Sequence, residues 1–288
     1  MRVAEDGMTV PSITLLDQTT IPQLGFGVFQ VPAEDTAEVT STALEVGYRH
    51  IDTAQMYGNE AGVGDALASS GLARDDFYVT TKLNNGNHRP DDVRRSFEES
   101  LTKLKLDRTD LFLIHWPLPT QYDGDYVSTW KAMAALVTEG LTTSVGVSNF
   151  NPDHLQRLAD ETGVLPVVNQ VEAHPYFVND AVREASLGHG IKVEAWSPIA
   201  QGAVLDDATI GQIAEKYGRT ASQVTLRWHV ERGDIVFPKS TKRERMTENF
   251  GIFDFALTPD EVATITGLDK GTDGRTGPDP ATFDYIPG

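Results

Sequence analysis

The 288-residue sequence contains no cysteine, which excludes disulfide bonds, thiolate metal ligands and cysteine nucleophiles. No apolar run approaches the roughly 20 residues that a membrane-spanning helix needs. The first ten residues are too polar for a signal peptide. These absences suit the reducing cytoplasm, which is where we expect the protein to act.

Cations are scarce as well. The chain has 24 Lys and Arg against 42 Asp and Glu, a formal net charge of −18. Such a charge repels phosphate backbones and anionic lipid surfaces, so we expect neither nucleic-acid nor membrane binding. One stretch runs against the trend, because residues 239–245 carry four cations and one anion. This stretch is either a solvated helix face or a local anion site.

Short apolar strands alternate with helical stretches after a hairpin predicted at residues 13–16 and 20–24. The predicted strands are 25–30, 50–54, 77–82, 110–115, 144–148, 167–171, 192–196 and 234–238. Eight such units predict a (β/α)8 barrel. A doubly wound sheet is the alternative, but the first strand, Gly25-Phe26-Gly27, lacks the third glycine and the following helix of a dinucleotide fingerprint.

We expect one domain over residues 1–288, with the barrel core at about 24–250. Additional helices are predicted at 208–217, before the helix at 221–231, and after Thr258, a good N-cap residue. The tail beyond residue 270 is rich in Gly, Pro and Asp. It is either frayed or folded over the barrel mouth, and we expect the second arrangement.

Four polar residues are predicted to meet at the C-terminal ends of the strands, where barrel enzymes carry their active sites. Asp52, Lys82 and His115 end three successive predicted strands, and Tyr57 follows the first of them. A charged lysine lowers a tyrosine pKa from its usual value of about 10, and an aspartate keeps the lysine charged. Singly, each residue is more often a packing or solvated group. Together they indicate a proton-transfer site.

Several motifs resemble those of the aldo-keto reductases. The sequence GYRHIDTA at 47–54, followed by Tyr57 and GNE at 58–60, is similar to the first signature of that family. HWP at 115–117, VGVSNF at 145–150, and PKS at 238–240 with Arg245 resemble its later motifs. The resemblance runs in order from about residue 11 into the tail and is nearest to the prokaryotic 2,5-diketo-D-gluconate reductase-like branch.

The resemblance implies NADPH-dependent reduction of aldehyde, dicarbonyl or keto-sugar carbonyls by a monomer that needs no metal. Tyr57 would be the general acid, Lys82 the modulator of its pKa, Asp52 the partner of the lysine and His115 the group that orients the substrate. The residues implied for the nicotinamide, pyrophosphate, 2′-phosphate and adenine of the cofactor are Ser148, Asn149, Gln170, Trp196, Ser197, Pro198, Ile199, Gly202, Lys239, Ser240, Thr241, Arg245, Glu248 and Asn249. Phe29, Met56 and Trp116 would line the substrate pocket.

Two other functions remain in view. Lys82 is a candidate Schiff-base nucleophile of an aldolase, although Asp52 beside it opposes the low pKa that this chemistry requires. A regulatory module that binds the cofactor without turnover is the other, and the complete set of four residues argues against it. Asn84 stands where relatives often carry tryptophan, which makes one side of the pocket more polar. His174 has no second ligand at metal-binding spacing.

Overall fold

A computed structural model describes residues 9–287. Residues 1–8, most of the stretch considered above as a signal peptide, lie outside the described residues, as does Gly288. The described chain begins with the predicted hairpin, whose strands β1 (Ser12–Thr14) and β2 (Thr20–Pro22) are antiparallel. Leu15 and Ile21 pack against strand residues such as Leu111. The hairpin therefore closes the N-terminal end of the fold.

Eight parallel strands follow in chain order, each paired with the next. They are β3 (Phe26–Gly27), β4 (His50–Asp52), β5 (Tyr78–Leu83), β6 (Thr109–Ile114), β7 (Thr142–Ser148), β8 (Val168–Glu172), β9 (Lys192–Trp196) and β10 (Ile235–Val236). A parallel bridge between Leu24 and Val236 joins the last strand to the first. The predicted (β/α)8 barrel is confirmed.

The first and last barrel strands are shorter than predicted, with two residues each in place of 25–30 and 234–238. Barrel closure uses the backbone just before β3, because the Gly25 N–H donates to Val236 O at 2.7 Å and the Val236 N–H donates to Gln23 O at 3.0 Å. Beyond β3, Gln30 adopts a left-handed φ of 58°, which turns the chain out of the sheet.

Ten helices surround the barrel in the described part of the chain. They are α1 (Ala33–Val46), α2 (Glu60–Ser69), α3 (Pro90–Leu104), α4 (Tyr126–Thr138), α5 (Pro152–Thr162), α6 (Asp180–Gly188), α7 (Ala208–Tyr217), α8 (Ala221–Glu231), α9 (Arg243–Phe250) and α10 (Pro259–Thr266). The predicted cap of α10 is confirmed, because Thr258 Oγ1 accepts from the Glu261 N–H at 3.3 Å and Glu261 Oε2 accepts from the Thr258 N–H at 2.9 Å.

The tail folds across the C-terminal end of the barrel, as expected. Thr276 and Gly277 donate backbone hydrogen bonds to Glu172 at the end of β8. Further along, the Phe283 ring packs on Trp116 with ring centroids 4.2 Å apart. Glu172 and Trp116, at or just beyond the strand ends, thus provide the contacts for a segment that is rich in glycine and proline.

Barrel closure requires a glycine at position 27, and this gives a stability prediction. A Cβ at Gly27 would lie 2.8 Å from Phe237 O, which is backbone that cannot move aside cheaply. We expect Gly27→Ala to lower the free energy of unfolding by about 1–3 kcal/mol in chemical denaturation. Gly211→Ala, in α7 with open space around it, is the control and should raise the free energy by about 0.5–1 kcal/mol. Equal stability of the two variants would contradict the close approach.

Candidate active site

The four residues predicted for proton transfer come together at the C-terminal end of the barrel. Asp52 is the last residue of β4, and Lys82 is the residue before the end of β5. His115 directly follows β6, and Tyr57 ends a 3₁₀ turn that begins at Gln55. Side chains of neighbouring parallel strands thus converge on one point, as the register of a barrel requires.

Lys82 is the centre of this group. It is fully buried, and its ammonium donates to Asp52 Oδ1 at 2.6 Å, to Thr53 O at 2.9 Å and to the Tyr57 hydroxyl at 3.2 Å. An ammonium has three protons to donate, so each of them has an acceptor. The lysine side chain is therefore fixed in position and cannot rotate away from Tyr57 without losing hydrogen bonds.

The ion pair keeps Lys82 charged in spite of its burial. Burial by itself lowers the pKa of Lys82, but Asp52, and after it Tyr57, act in the opposite direction, and the pKa is raised overall. Burial also raises the pKa of Asp52, and Lys82 opposes that rise. Each member of the pair thus stabilises the charged form of the other in an environment that disfavours both.

The pKa of Tyr57 departs from the prediction. Burial raises it, Lys82 lowers it and Asp52 raises it further, with burial the largest of these effects and a raised pKa as the result. Lys82 acts in the expected direction, but the expectation of a lowered pKa is wrong for this site. The prediction omitted the depth at which the Tyr57 hydroxyl lies. Tyr57 consequently keeps its proton at neutral pH.

His115 is neutral in this environment. Its pKa is lowered well below the usual value by burial first, and then by the positive charge of Lys82 and by His88. The imidazole lies edge-on to the Tyr57 ring, with ring centroids 5.7 Å apart. A neutral imidazole can hydrogen-bond to a substrate oxygen but has no extra proton to give. The arrangement is compatible with proton donation by Tyr57 and with orientation of a substrate by His115.

The side chains predicted to bind the nicotinamide form a connected network beside this group. Asn149 Nδ2 donates to His115 O at 2.9 Å and to Ser148 Oγ at 3.0 Å, and its Oδ1 accepts from Trp196 Nε1 at 2.8 Å. Ser148 Oγ in turn donates to the backbone oxygen of Gln170 at 2.8 Å. The sequence prediction that these residues share one site agrees with their placement, and the contacts that they make to one another were not foreseen.

Gln170 points into the barrel and reaches two carboxyl groups. Its Nε2 donates to Asp52 Oδ2 and to Glu194 Oε2, each at 2.8 Å. Asp52 lies on β4 and Gln170 on β8, and these strands are not neighbours in the sheet, so this contact crosses the barrel interior. Both amide protons are used, so Gln170 could contact a bound nicotinamide only through its amide oxygen.

The predicted pyrophosphate residues form the loop after β9. Ser197 and Gly202 adopt left-handed φ values of 49° and 98°, so this loop turns tightly. Pro198 O is held by His229 Nε2 at 3.1 Å, while Ile199 is half-buried just before the 3₁₀ turn at residues 200–202. The loop follows the strand that carries Trp196, in line with the predicted order along the cofactor.

The cationic cluster lies beyond β10. Lys239 and Arg245 are exposed and make no salt bridge within residues 9–287, whereas Arg243 pairs with Glu45 at 2.6 Å. The sequence further predicts that Ser240 and Thr241 begin the helix after Lys239, and this prediction is wrong. Both lie in the preceding loop, because the helix starts at residue 243 and Ser240 Oγ accepts from the Lys242 N–H at 3.1 Å.

The two residues predicted for the adenine end contact the start of α8. Glu248 accepts from Thr220 Oγ1 at 2.8 Å, and Asn249 Oδ1 accepts from Ser222 Oγ at 2.8 Å. Asn249 is buried and Glu248 is half-buried. The hydrogen-bond partners of Glu248 and Asn249 are protein groups. A contact with adenine would therefore use the parts of these side chains that Thr220 and Ser222 do not cover.

The predicted substrate walls surround Tyr57 unevenly. Phe29 is 55% exposed and packs on the Tyr57 ring at 5.1 Å, Met56 is half-buried, and Trp116 is buried under Phe283. Asn84 Oδ1 accepts from the Gly86 N–H at 3.1 Å, so this side chain caps the turn at residues 85–87. The expectation that Asn84 makes one side of the pocket more polar stays a prediction.

Sequence reasoning missed two buried carboxyl groups. Glu172 accepts from Thr276 N and Oγ1, both at 2.6 Å, and from Gly277 N at 2.9 Å, so it fastens the tail to β8. Glu194 lies in β9 and is fully buried. A lone carboxylate in each of two apolar strands, VNQVE and KVEAW, is the signal that identifies such residues.

The described residues contain no helix long and apolar enough to cross a membrane. They also contain no group of three or more His, Asp or Glu side chains arranged to hold a metal ion. His174 contacts Glu172 at 3.0 Å, which accounts for it as a structural histidine.

Comparison with known proteins defines the class. The sequence profile of the Aldo/keto reductase family matches residues 23–270. The chain belongs to the aldo-keto reductase family. Methylglyoxal reductase DkgA of Yersinia pestis is 48% identical over 276 residues, covering 95% of this chain and 97% of that protein. An aldo-keto reductase of Mycolicibacterium smegmatis is 46% identical over 275 residues, with 96% and 98% covered.

Two solved structures are similar to this protein over most of its length. A structure of a Gox0644 mutant in complex with NADPH has a TM-score of 0.92 and 45% identity, covering 96% of this chain and all of that one (100%). A Bombyx mori aldo-keto reductase in complex with NADP has a TM-score of 0.86 and 37% identity, with 91% and 94% covered.

The buried ion pair gives a second prediction. Asp52→Asn leaves the Lys82 charge buried with no opposite charge beside it. We expect the free energy of unfolding to fall by about 3–5 kcal/mol in urea denaturation. Glu98→Gln, which breaks the exposed pair with Arg94, is the control and should change it by no more than about 0.5 kcal/mol. A loss at Asp52 as small as that at Glu98 would show that the pair is not buried in solution.

Proposed function

We propose that the chain is an NADPH-dependent carbonyl reductase that converts aldehydes, dicarbonyls or keto-sugars to alcohols. The observation that carries the proposal is the Lys82 ammonium, held between the Asp52 carboxylate and the Tyr57 hydroxyl. Membership of the family supports it, as do relatives named methylglyoxal reductase and structures with NADPH or NADP at TM-scores of 0.92 and 0.86.

In the proposed mechanism Tyr57 is the general acid. NADPH, when bound, supplies the hydride that adds to the carbonyl carbon. The Tyr57 hydroxyl gives its proton to the carbonyl oxygen, and the resulting phenolate is stabilised by the Lys82 ammonium. Neutral His115 donates a hydrogen bond to the same oxygen and so fixes its direction. The charge that develops on Tyr57 is met by a cation that is already in place.

The raised pKa of Tyr57 suits this direction of reaction. A phenol that stays protonated is available to every incoming substrate, and Lys82 limits the cost of losing the proton. The buried pair of Lys82 and Asp52 is neutral as a whole, so the charge of Lys82 is available to the phenolate without a free cation in the apolar barrel. Lys82 and Asp52 are shielded from water, which strengthens the interaction between their charges.

The residues available for the cofactor fit NADPH. The Gln170 amide oxygen and the Ser148–Asn149 network face the place proposed for the carboxamide, and Trp196 offers a partly exposed ring for stacking on the nicotinamide. Lys239 and Arg245 make no salt bridge within residues 9–287, and a phosphate suits the planar guanidinium of Arg245. We therefore favour NADPH over NADH.

The alternatives fit less well. A Schiff-base lysine must be neutral to attack a carbonyl, but all three protons of Lys82 have acceptors and its pKa is raised. A binding module without turnover has no need of a proton donor next to a buried cation. The tetrad of Asp52, Tyr57, Lys82 and His115 therefore supports an enzyme.

We also propose that residues 1–288 form a single domain that acts as a cytoplasmic monomer on a small-molecule carbonyl substrate. The pairing of β10 with the segment just before β3 supports one domain, because each end of the barrel needs the other. The lack of cysteine supports a reducing compartment. The net charge of −18 supports a partner other than nucleic acid.

Replacement of the proton donor tests the mechanism. Tyr57→Phe should reduce kcat for methylglyoxal with NADPH by about 10²- to 10⁴-fold, because the carbonyl oxygen loses its acid. NADPH binding, followed by quenching of tryptophan fluorescence, should be nearly unchanged. Tyr217→Phe, at the remote end of α7, is the control and should retain full activity. Retained turnover in Tyr57→Phe would reject Tyr57 as the acid.

Replacement of the free cation tests cofactor choice. Arg245→Ala should raise the Kd of NADPH by about 10- to 100-fold, the value of a charged hydrogen bond, and leave that of NADH within about twofold. Arg243→Ala is the matched control, because Arg243 is engaged with Glu45. An equal loss of NADPH and NADH affinity in Arg245→Ala would place the phosphate elsewhere.

A further inference from the structure

Glu194 is a buried acid that the mechanism above does not use. It lies on β9 with no exposed surface, and Gln170 Nε2 contacts its Oε2 at 2.8 Å. The same Nε2 contacts Asp52 Oδ2 at 2.8 Å, and Asp52 Oδ1 contacts Lys82 at 2.6 Å. A continuous hydrogen-bonded chain therefore runs from the Tyr57 hydroxyl to the carboxyl of Glu194.

We propose that Glu194 is a positioning residue of the active site, a neutral carboxyl that shares the Gln170 amide with Asp52 and weakens the Tyr57 acid when it ionises. This inference rests on the proposed function of the tetrad. It assigns to a residue deep in the barrel a control over the proton donor at the barrel mouth, exerted through Gln170 and Asp52.

The hydrogen bonds around Glu194 match a neutral carboxyl. Its Oε1 has no hydrogen-bond partner among residues 9–287, whereas an ionised carboxylate in an apolar interior needs donors at both oxygens. Asp52, by contrast, receives Lys82 at one oxygen and Gln170 at the other. The charge of the pair is therefore expected on Asp52 and the proton on Glu194.

The charges around Glu194 also favour its neutral form. The titratable groups that act on Glu194 are Asp52 on β4 and Lys82 and Tyr78 on β5, while β10 pairs the apolar Ile235 with it and β8 contributes the uncharged Gln170. Lys82 is the cation that acts on Glu194 within the described chain, and Asp52 already balances it. Burial and then Asp52 raise the pKa of Glu194 to about 8.

The consequence for the reaction follows from charge. While Glu194 is protonated, the group formed by Lys82, Asp52 and Glu194 is neutral overall. Above the pKa of Glu194 it carries one net negative charge, which opposes formation of the Tyr57 phenolate and raises the pKa of Tyr57 further. Proton donation to the carbonyl oxygen then becomes slower, so carbonyl reduction should decline on the alkaline side because of Glu194.

The pH dependence of kcat for NADPH-dependent methylglyoxal reduction tests the proposal in wild type, Glu194→Gln and Glu60→Gln. Glu60 is another buried carboxyl with a raised pKa, but it binds Thr81 and is not part of the hydrogen-bonded chain that links Tyr57 to Glu194. Between about pH 7 and about pH 9, wild type and Glu60→Gln should lose activity about threefold or more, and Glu194→Gln should lose distinctly less. Superimposed profiles of wild type and Glu194→Gln would overturn the proposal.

Infrared spectroscopy keeps the proposal testable if Glu194→Gln does not fold. A band of a protonated carboxyl should persist at neutral pH in the wild type and in Glu60→Gln, which removes a second buried carboxyl with a raised pKa, and should disappear near about pH 8. Absence of this band at neutral pH would overturn the neutral state of Glu194. Lack of any turnover by the wild type would instead reject the proposed function. The two failures can be told apart, because the infrared result does not depend on activity.

Discussion

The salt bridge between Lys82 and Asp52 is the interaction on which the site depends. Both side chains are buried, and their atoms lie 2.6 Å apart. A charge at this depth is tolerated only with an opposite charge and hydrogen bonds that satisfy the rest of each group. Thr53, Tyr57 and Gln170 supply those bonds. The same contacts that make the ion pair tolerable also place the phenol of Tyr57 next to a permanent cation.

Much of the fold follows from local signals. Strands and helices alternate, Thr258 caps its helix, and Asp52, Lys82 and His115 fall at or next to strand ends, so their convergence was predictable from the geometry of parallel strands. The errors have a physical origin too. The net pKa of Tyr57 depends on how deeply its hydroxyl is buried, and the start of α9 depends on the Ser240 hydroxyl binding the Lys242 N–H.

Contacts across the barrel were beyond sequence reasoning. Gln170 meets Asp52 only because β4 and β8 face one another through the interior, and no spacing in the chain encodes that distance. The tail is a similar case. Gly277 lies so close to Trp196 that a Cβ there would be 2.3 Å from the ring, and Glu172 holds the neighbouring backbone. The composition of a segment rich in glycine and proline does not predict contacts with Trp196 and Glu172.

The most direct test of the central claim is the pKa of Tyr57 in solution. NMR titration of isotope-labelled tyrosine rings gives it, with the Tyr57→Phe variant assigning the resonance, in wild type and in Lys82→Met. If the buried ammonium stabilises the Tyr57 phenolate, its removal should move the titration of Tyr57 to higher pH. The same Tyr57 pKa in both proteins would contradict the account, because Lys82 would then have no influence on the proton donor.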